Sequence, residues 1–149
     1  MKRDYPDRPI VGVGGVIVDH ERVLVVKRAT EPRRGQWSIP GGAVEIGETL
    51  REALAREVQE ETGLLIEVAD VLEVLDSIVR DSDGRAQYHY VLVDFTCRRV
   101  GGQLRAGTDA SDARWITLNE LHELEIAEAT QRVIRKALAM TTVAVQPTR

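Results

Sequence analysis

Residues 11 to 18 run Val-Gly-Val-Gly-Gly-Val-Ile-Val without a charge, and Val23 to Lys27 repeats the β-branched bias after Asp19-His20-Glu21-Arg22. Two such runs around a short polar stretch predict a β-hairpin. Pro32, Gly35, Pro40, Gly41 and Gly42 then punctuate the segment from Glu31 to Gly42, which predicts loop. Thr49 followed three residues later by Glu52 forms a capping-box pattern, apolar residues recur at helical spacing to Thr62, and Gly63 suits the left-handed residue that ends a helix. The pattern predicts a helix over Leu50 to Thr62.

Val68 to Val79 and Gln87 to Cys97 are strand-like and flank the turn residues Asp81-Ser82-Asp83-Gly84, so they are expected to pair. A short strand is expected around Gln103 to Arg105 and another at Ala113 to Ile116. Thr117 with Glu120 repeats the capping-box pattern ahead of a short helical turn. From Ala127 to Met140, Thr130, Val133, Ile134, Ala137 and Leu138 fall at helical spacing, predicting an amphipathic helix against the sheet. The order suggests a mixed sheet between helices rather than a regular βαβ alternation. One domain over residues 1–140 is expected, with 141–149 a frayed tail.

Composition narrows the class. A chain of 149 residues with 43% hydrophobic and 30% charged residues is an ordinary globular sequence, not a disordered or fibrous one. It has no apolar run long enough to span a bilayer, so no membrane partner is expected. A lone cysteine, Cys97, allows no internal disulfide; with the charged, leaderless start this reads as a cytoplasmic protein. The net charge of −4 argues against a broad nucleic-acid surface. Its location says more: between Gly42 and Leu64 six acids stand against two bases, while Lys27, Arg28, Arg33 and Arg34 stand against Glu31 just upstream. An acidic helix beside a basic loop suits a metal ion with a polyphosphate; two unrelated solvated charge clusters would look the same.

Helical geometry adds a second argument. At about 100° per residue, Glu57 and Glu61 fall on the side of Leu50, Leu54 and Val58, with Glu60 on the flank of that stripe. Three anions at the C-terminal end also oppose the helix dipole and repel one another. A hard divalent cation with oxygen ligands compensates such a cluster, and Mg²⁺ commonly uses one or two carboxylates plus phosphates and waters. The competing reading is a solvated Glu-rich face. Gly41 and Gly42 after Pro40 could bring backbone close to a ligand or form a plain turn.

Gly42, five residues, Glu48, seven residues, and then Arg56-Glu57-Val58-Gln59-Glu60-Glu61-Thr62-Gly63-Leu64 reproduce a complete signature, GX5EX7REUXEEXGU with U aliphatic. In this the chain resembles the Nudix hydrolase family, and the lead-in Trp37 to Gly41 is similar as well. The resemblance implies an α/β/α sandwich with a mixed sheet and hydrolysis of a nucleoside diphosphate linked to another moiety. It implies that Glu57, Glu60 and Glu61 bind Mg²⁺ or Mn²⁺ with the Gly41 carbonyl, and that Glu48 and Arg56 hold the carboxylates and loop. Gly42 and Gly63 would be structural. The partner would be a small nucleotide, and homodimers are common among similar proteins.

For the general base, Glu57 is one candidate and Asp109 and Asp112 are others, though Asp109-Ala-Ser-Asp112 equally suits turn chemistry. Arg28, at a strand end, is the preferred phosphate clamp; Arg33 and Arg34 are expected in solvent. Tyr88 and Tyr90 are expected to pack in the core. The proline or tyrosine that marks some subfamilies would fall near Arg80 and Asp81, and neither residue is there. ADP-ribose or a related nucleotide sugar is the favoured substrate. A nucleoside triphosphate pyrophosphatase and a non-catalytic nucleotide sensor are the alternatives.

Overall fold

The computed structural model describes residues 2–107 and 110–145. Strands β1 (Ile10–Asp19) and β2 (Arg22–Arg28) form the expected hairpin, closing at Asp19↔Arg22 over His20 and Glu21, both in left-handed conformation. The loop contains two very short strands, β3 (Trp37–Ser38) and β4 (Gly41–Ala43). Helix α1 (Leu50–Thr62) follows, then the long strands β5 (Leu64–Arg80) and β6 (Ala86–Gly102), β7 (Ala110–Thr117), a 3-10 turn (Leu118–Glu123) and α2 (Glu128–Val145).

The sheet runs β3-β2-β1-β6-β5, with β4 added to β1 and β7 to β2. Only β1 and β6 are parallel among these pairs, which makes the sheet mixed. From Gly12 to Ile17 β1 is buried on both faces, as a charge-free run between two layers must be. On one face Val13, Ile17 and Phe95 pack with Ala53, Leu54 and Val58 of α1. On the other, Val16, Val23 and Val25 pack with Val133, Ile134 and Ala137 of α2. This is an α/β/α sandwich.

Both ends of α1 are held as the sequence indicates. Thr49 accepts from the Glu52 backbone at 3.1 Å while the Glu52 carboxylate accepts from the Thr49 backbone at 3.0 Å, and Gly63 closes the helix at φ 76°. Three expectations change. Residues 103–105 form no strand: Arg105 and Gly107 donate their backbone N–H groups to the carbonyls of Thr62 and Glu61, at 2.8 Å each. Carbonyls left unpaired by the end of α1 thus draw that segment away from the sheet. β7 is longer than its apolar core predicted, because it pairs with β2 along nearly its whole length. α2 continues to Val145 past the boundary expected at Met140, and residues 146–149 lie outside the described set. Among the described residues no helix is long and apolar enough to cross a membrane.

Candidate active site

The site is assembled where α1 passes behind β4. Gly12, Val13 and Gly14 of β1 pair with Ala43, Gly42 and Gly41. The two glycines of β4 let the helix approach closely: a Cβ on Gly42 would lie 2.6 Å from both carboxylate oxygens of Glu57, and one on Gly41 would run into the Val13 carbonyl. Glu57 and Glu61, one turn apart, are only 9% and 7% exposed, and both line a cavity of about 630 Å³. That volume is in the range of small-molecule sites.

Arg56 organises the acids. Its guanidinium spans Glu48 through two donors, at 2.7 and 2.9 Å, and donates to Glu57 Oε1 at 2.8 Å, Glu60 Oε2 at 3.3 Å and the Ala43 carbonyl at 3.2 Å. Glu48 also accepts from the Glu45 backbone at 2.9 Å, so these donors hold its pKa down to about 2. Glu57 behaves oppositely: burial raises its pKa, and the Arg56 hydrogen bond and charge only partly counter this. The Gly41 N–H donates to Glu61 Oε1 at 2.8 Å.

Not every expected acid converges. The Glu60 side chain is 54% exposed and tethered to Arg56, so of the three anions at the end of α1 only Glu57 and Glu61 are buried. Among the described residues no three His, Cys, Asp or Glu side chains gather as a ready chelating cluster. The donors still fit a hard divalent ion. Glu57 and Glu61 are anionic oxygen ligands in a cavity wall, with Glu57 incompletely neutralised by the protein, and Mg²⁺ needs only one or two carboxylates when phosphates and waters complete its shell.

Arginines line the same cavity as these acids. Arg28 lines it with its Nε fixed on the Pro32 carbonyl at 2.7 Å. Arg33 is exposed, as expected, and its loop, turned by a left-handed backbone at Arg33 (φ 62°), also borders the cavity. Arg34 is exposed as expected. Arg3 and Arg132 complete the basic lining; the sequence offered no motif for either. Tyr5, two residues after Arg3, anchors this end of the chain: its hydroxyl donates to Asp81 at 2.7 Å and its ring lies under Arg85. Tyr90 lines the cavity rather than the core.

Asp112 turns away, accepting from its neighbour Ala113 at 2.8 Å and pairing with Arg114 at 3.1 Å, and Asp109 lies outside the described residues. Sequence reasoning missed Asp94, 6% exposed on β6 and in the cavity lining. Burial, reinforced by Glu73, pushes its pKa up to about 6. The available signal was a lone carboxylate inside the apolar stretch Tyr90 to Phe95.

A NUDIX domain model matches residues 8–137. The ADP-ribose pyrophosphatase of Methanocaldococcus jannaschii is 41% identical over 116 residues, 78% of this chain and 66% of that protein. The nucleoside triphosphatase NudI of an Enterobacter species is 33% identical over 102 residues, 65% of this chain and 72% of its own length. The crystal structure of a MutT NUDIX hydrolase from Burkholderia pseudomallei superimposes with a TM-score of 0.76 at 30% identity, covering 87% of this chain and 98% of that one.

Proposed function

The chain belongs to the NUDIX family of pyrophosphohydrolases, and on that premise we propose that it hydrolyses the diphosphate of a nucleoside diphosphate joined to a second group, ADP-ribose or a related nucleotide sugar, with Mg²⁺. The observation that carries the reading is one cavity lined both by two buried carboxylates of α1 and by arginines. Carboxylates alone would repel a diphosphate, and arginines alone would bind one without activating water. In this reading the metal is held by Glu57 and Glu61 with the Gly41 carbonyl, and Glu60 contributes from the rim.

A bound divalent ion would neutralise phosphate oxygens and lower the pKa of a water for in-line attack. The protein's own groups do the rest. Arg28, its Nε fixed by Pro32, presents the remaining edge of its guanidinium to a phosphate oxygen. Glu57 accepts the proton of the attacking water, since it lines the cavity while Asp112 is committed to Arg114. Arg56 and Glu48 fix Glu57 and the β4 loop, and the Gly41 N–H fixes Glu61. The 41% identity to the archaeal ADP-ribose pyrophosphatase supports the substrate class. The similarity to a nucleoside triphosphatase favours triphosphate hydrolysis as the second reading.

The purified 149-residue chain with Mg²⁺, offered ADP-ribose, nucleotide sugars, dinucleotides and nucleoside triphosphates, is expected to release a nucleoside monophosphate, resolved by chromatography. Preference for triphosphates would establish the second reading. No release from any of them would overturn both.

A further inference from the structure

The NUDIX match begins at residue 8, and the segment before it takes a course that nothing in the signature demands. Tyr5 sits at φ 48°, a left-handed conformation that a bulky residue keeps only where its surroundings hold it. Three contacts hold it, all from the β5–β6 turn and the start of β6. The Tyr5 N–H donates to the Gln87 carbonyl at 2.7 Å, its hydroxyl donates to Asp81 at 2.7 Å, and the Arg85 guanidinium lies 4.6 Å from the centre of its ring. Asp81 is itself braced, accepting from the Asp83 and Arg85 backbones at 2.9 Å each. A tyrosine clipped to a braced turn gives the preceding residues a defined direction.

Arg3, two residues earlier, is exposed and borders the cavity. Its charge is felt at Glu57: burial raises the Glu57 pKa, and Arg56 and then Arg3 oppose that rise, which puts both cations within electrostatic range of the carboxylate. The two differ in what they leave free. Arg56 commits its donors to Glu48, Glu57, Glu60 and the Ala43 carbonyl, whereas among the described residues no hydrogen bond or ion pair engages the Arg3 guanidinium. Its planar fork matches two phosphate oxygens at once. The charge balance asks for such a group. A divalent ion offsets Glu57 and Glu61, but a diphosphate joining two groups carries a negative charge on each phosphate, and Arg28 meets one of them. Arg33 and Arg132 also border the cavity; for Arg3 a second observation, its field at Glu57, brings the charge to the carboxylate beside which a metal-bound diphosphate would lie.

We propose that Arg3 is a substrate-binding residue whose guanidinium donates to a phosphate oxygen of the diphosphate near Glu57, and that the clip of Tyr5 onto the β5–β6 turn positions it for this contact. The role rests on the diphosphate reading given above and adds to the site a residue from outside the matched domain.

The test measures equilibrium binding by calorimetry, with Mg²⁺ present, of methylenediphosphonate and α,β-methylene-ADP, diphosphate analogues whose bridging carbon resists hydrolysis. Arg3→Ala is expected to weaken at least one of them about tenfold, the scale of one hydrogen bond to a charged group. Arg3→Lys, which keeps the charge without the fork, is expected to recover part of the loss. Arg34→Ala makes the same change in net charge at an exposed loop position and is expected to leave both affinities within about twofold of wild type, since screening removes most of a distant surface charge's effect. Tyr5→Phe, which loses the Asp81 hydrogen bond, is expected to weaken binding about threefold in the wild-type background and not at all beside Arg3→Ala, because residues that act through one another are not additive. Wild-type affinity in Arg3→Ala, or an equal loss in Arg34→Ala, would overturn the proposed contact. A Tyr5→Phe loss of the same size in both backgrounds, or none in either, would overturn the positioning role. A wild type that binds neither analogue and hydrolyses nothing in the panel above overturns the diphosphate reading and this inference with it; hydrolysis by a wild type whose affinities Arg3→Ala leaves unchanged overturns this inference alone.

Discussion

Glu57 and Glu61 occupy the same buried helix face but are satisfied differently, and the difference sets what each substitution does. Glu61 accepts the Gly41 N–H, tying the helix to the strand that closes the cavity. Glu61→Gln keeps an acceptor oxygen and nearly the same volume while removing the charge. Turnover is expected to fall at least about a hundredfold, the scale of one preorganised electrostatic contribution, with the melting temperature little changed. Steady-state kinetics beside a thermal melt would check this, and retained activity would remove Glu61 from the proposed metal ligands. Glu57 has a tighter constraint. Its carboxylate fills the space that a side chain at position 42 would take, which is why the signature demands glycine there.

At the scale of elements, α1 has to deliver those acids in a fixed place from both ends. The Thr49–Glu52 box starts it and Gly63 stops it, while Arg105 and Gly107 cover its terminal carbonyls. Thr49→Ala removes one side of the box and is expected to cost about 1 kcal/mol, read as a lowered denaturation midpoint. The catalytic residues are untouched, so kcat below the melting range is expected to stay close to wild type. A large fall in kcat at full folding would mean that the start of the helix positions the site more directly than its packing indicates. The capping pattern was visible in the chain because it is local. The 103–107 segment was misjudged because its hydrogen-bond donors are claimed by a helix end some forty residues earlier in sequence, which no local pattern reports.

For the whole molecule, acids with opposite shifts make stability depend on pH in opposite directions. Asp94, with a folded pKa of about 6 against 3.8, binds more protons folded than unfolded between those values. Its contribution to stability therefore declines as pH rises through that window, by on the order of 3 kcal/mol for a shift of this size in a largely buried group. Glu48, lowered from 4.5 to about 2, stabilises the fold above the higher value and loses that contribution as pH falls toward the lower one. Wild-type and Asp94→Asn proteins, melted at a series of pH values from about 4 to about 7, are expected to diverge in favour of the variant as pH rises. A constant difference would show that the Asp94 carboxyl has the same pKa folded and unfolded.

Legible in the order of residues were the elements whose signals are near neighbours: the β1–β2 hairpin, the limits of α1, the pairing of β5 with β6, and the side of α1 on which Glu57 and Glu61 lie. The sequence also carried the complete signature, because the spacing of ligating and supporting residues on one helix and its preceding loop is a property of consecutive residues. Only the folded chain shows that Glu60 stands at the rim, that Arg3, Arg33 and Arg132 border the same cavity as Arg28, and that Asp94 lies buried beside Gly14 in its wall. Those facts depend on which strands become neighbours. The parallel pairing of β1 with β6 joins residues about eighty positions apart, and only there does an isolated aspartate in an apolar strand acquire a pocket to face.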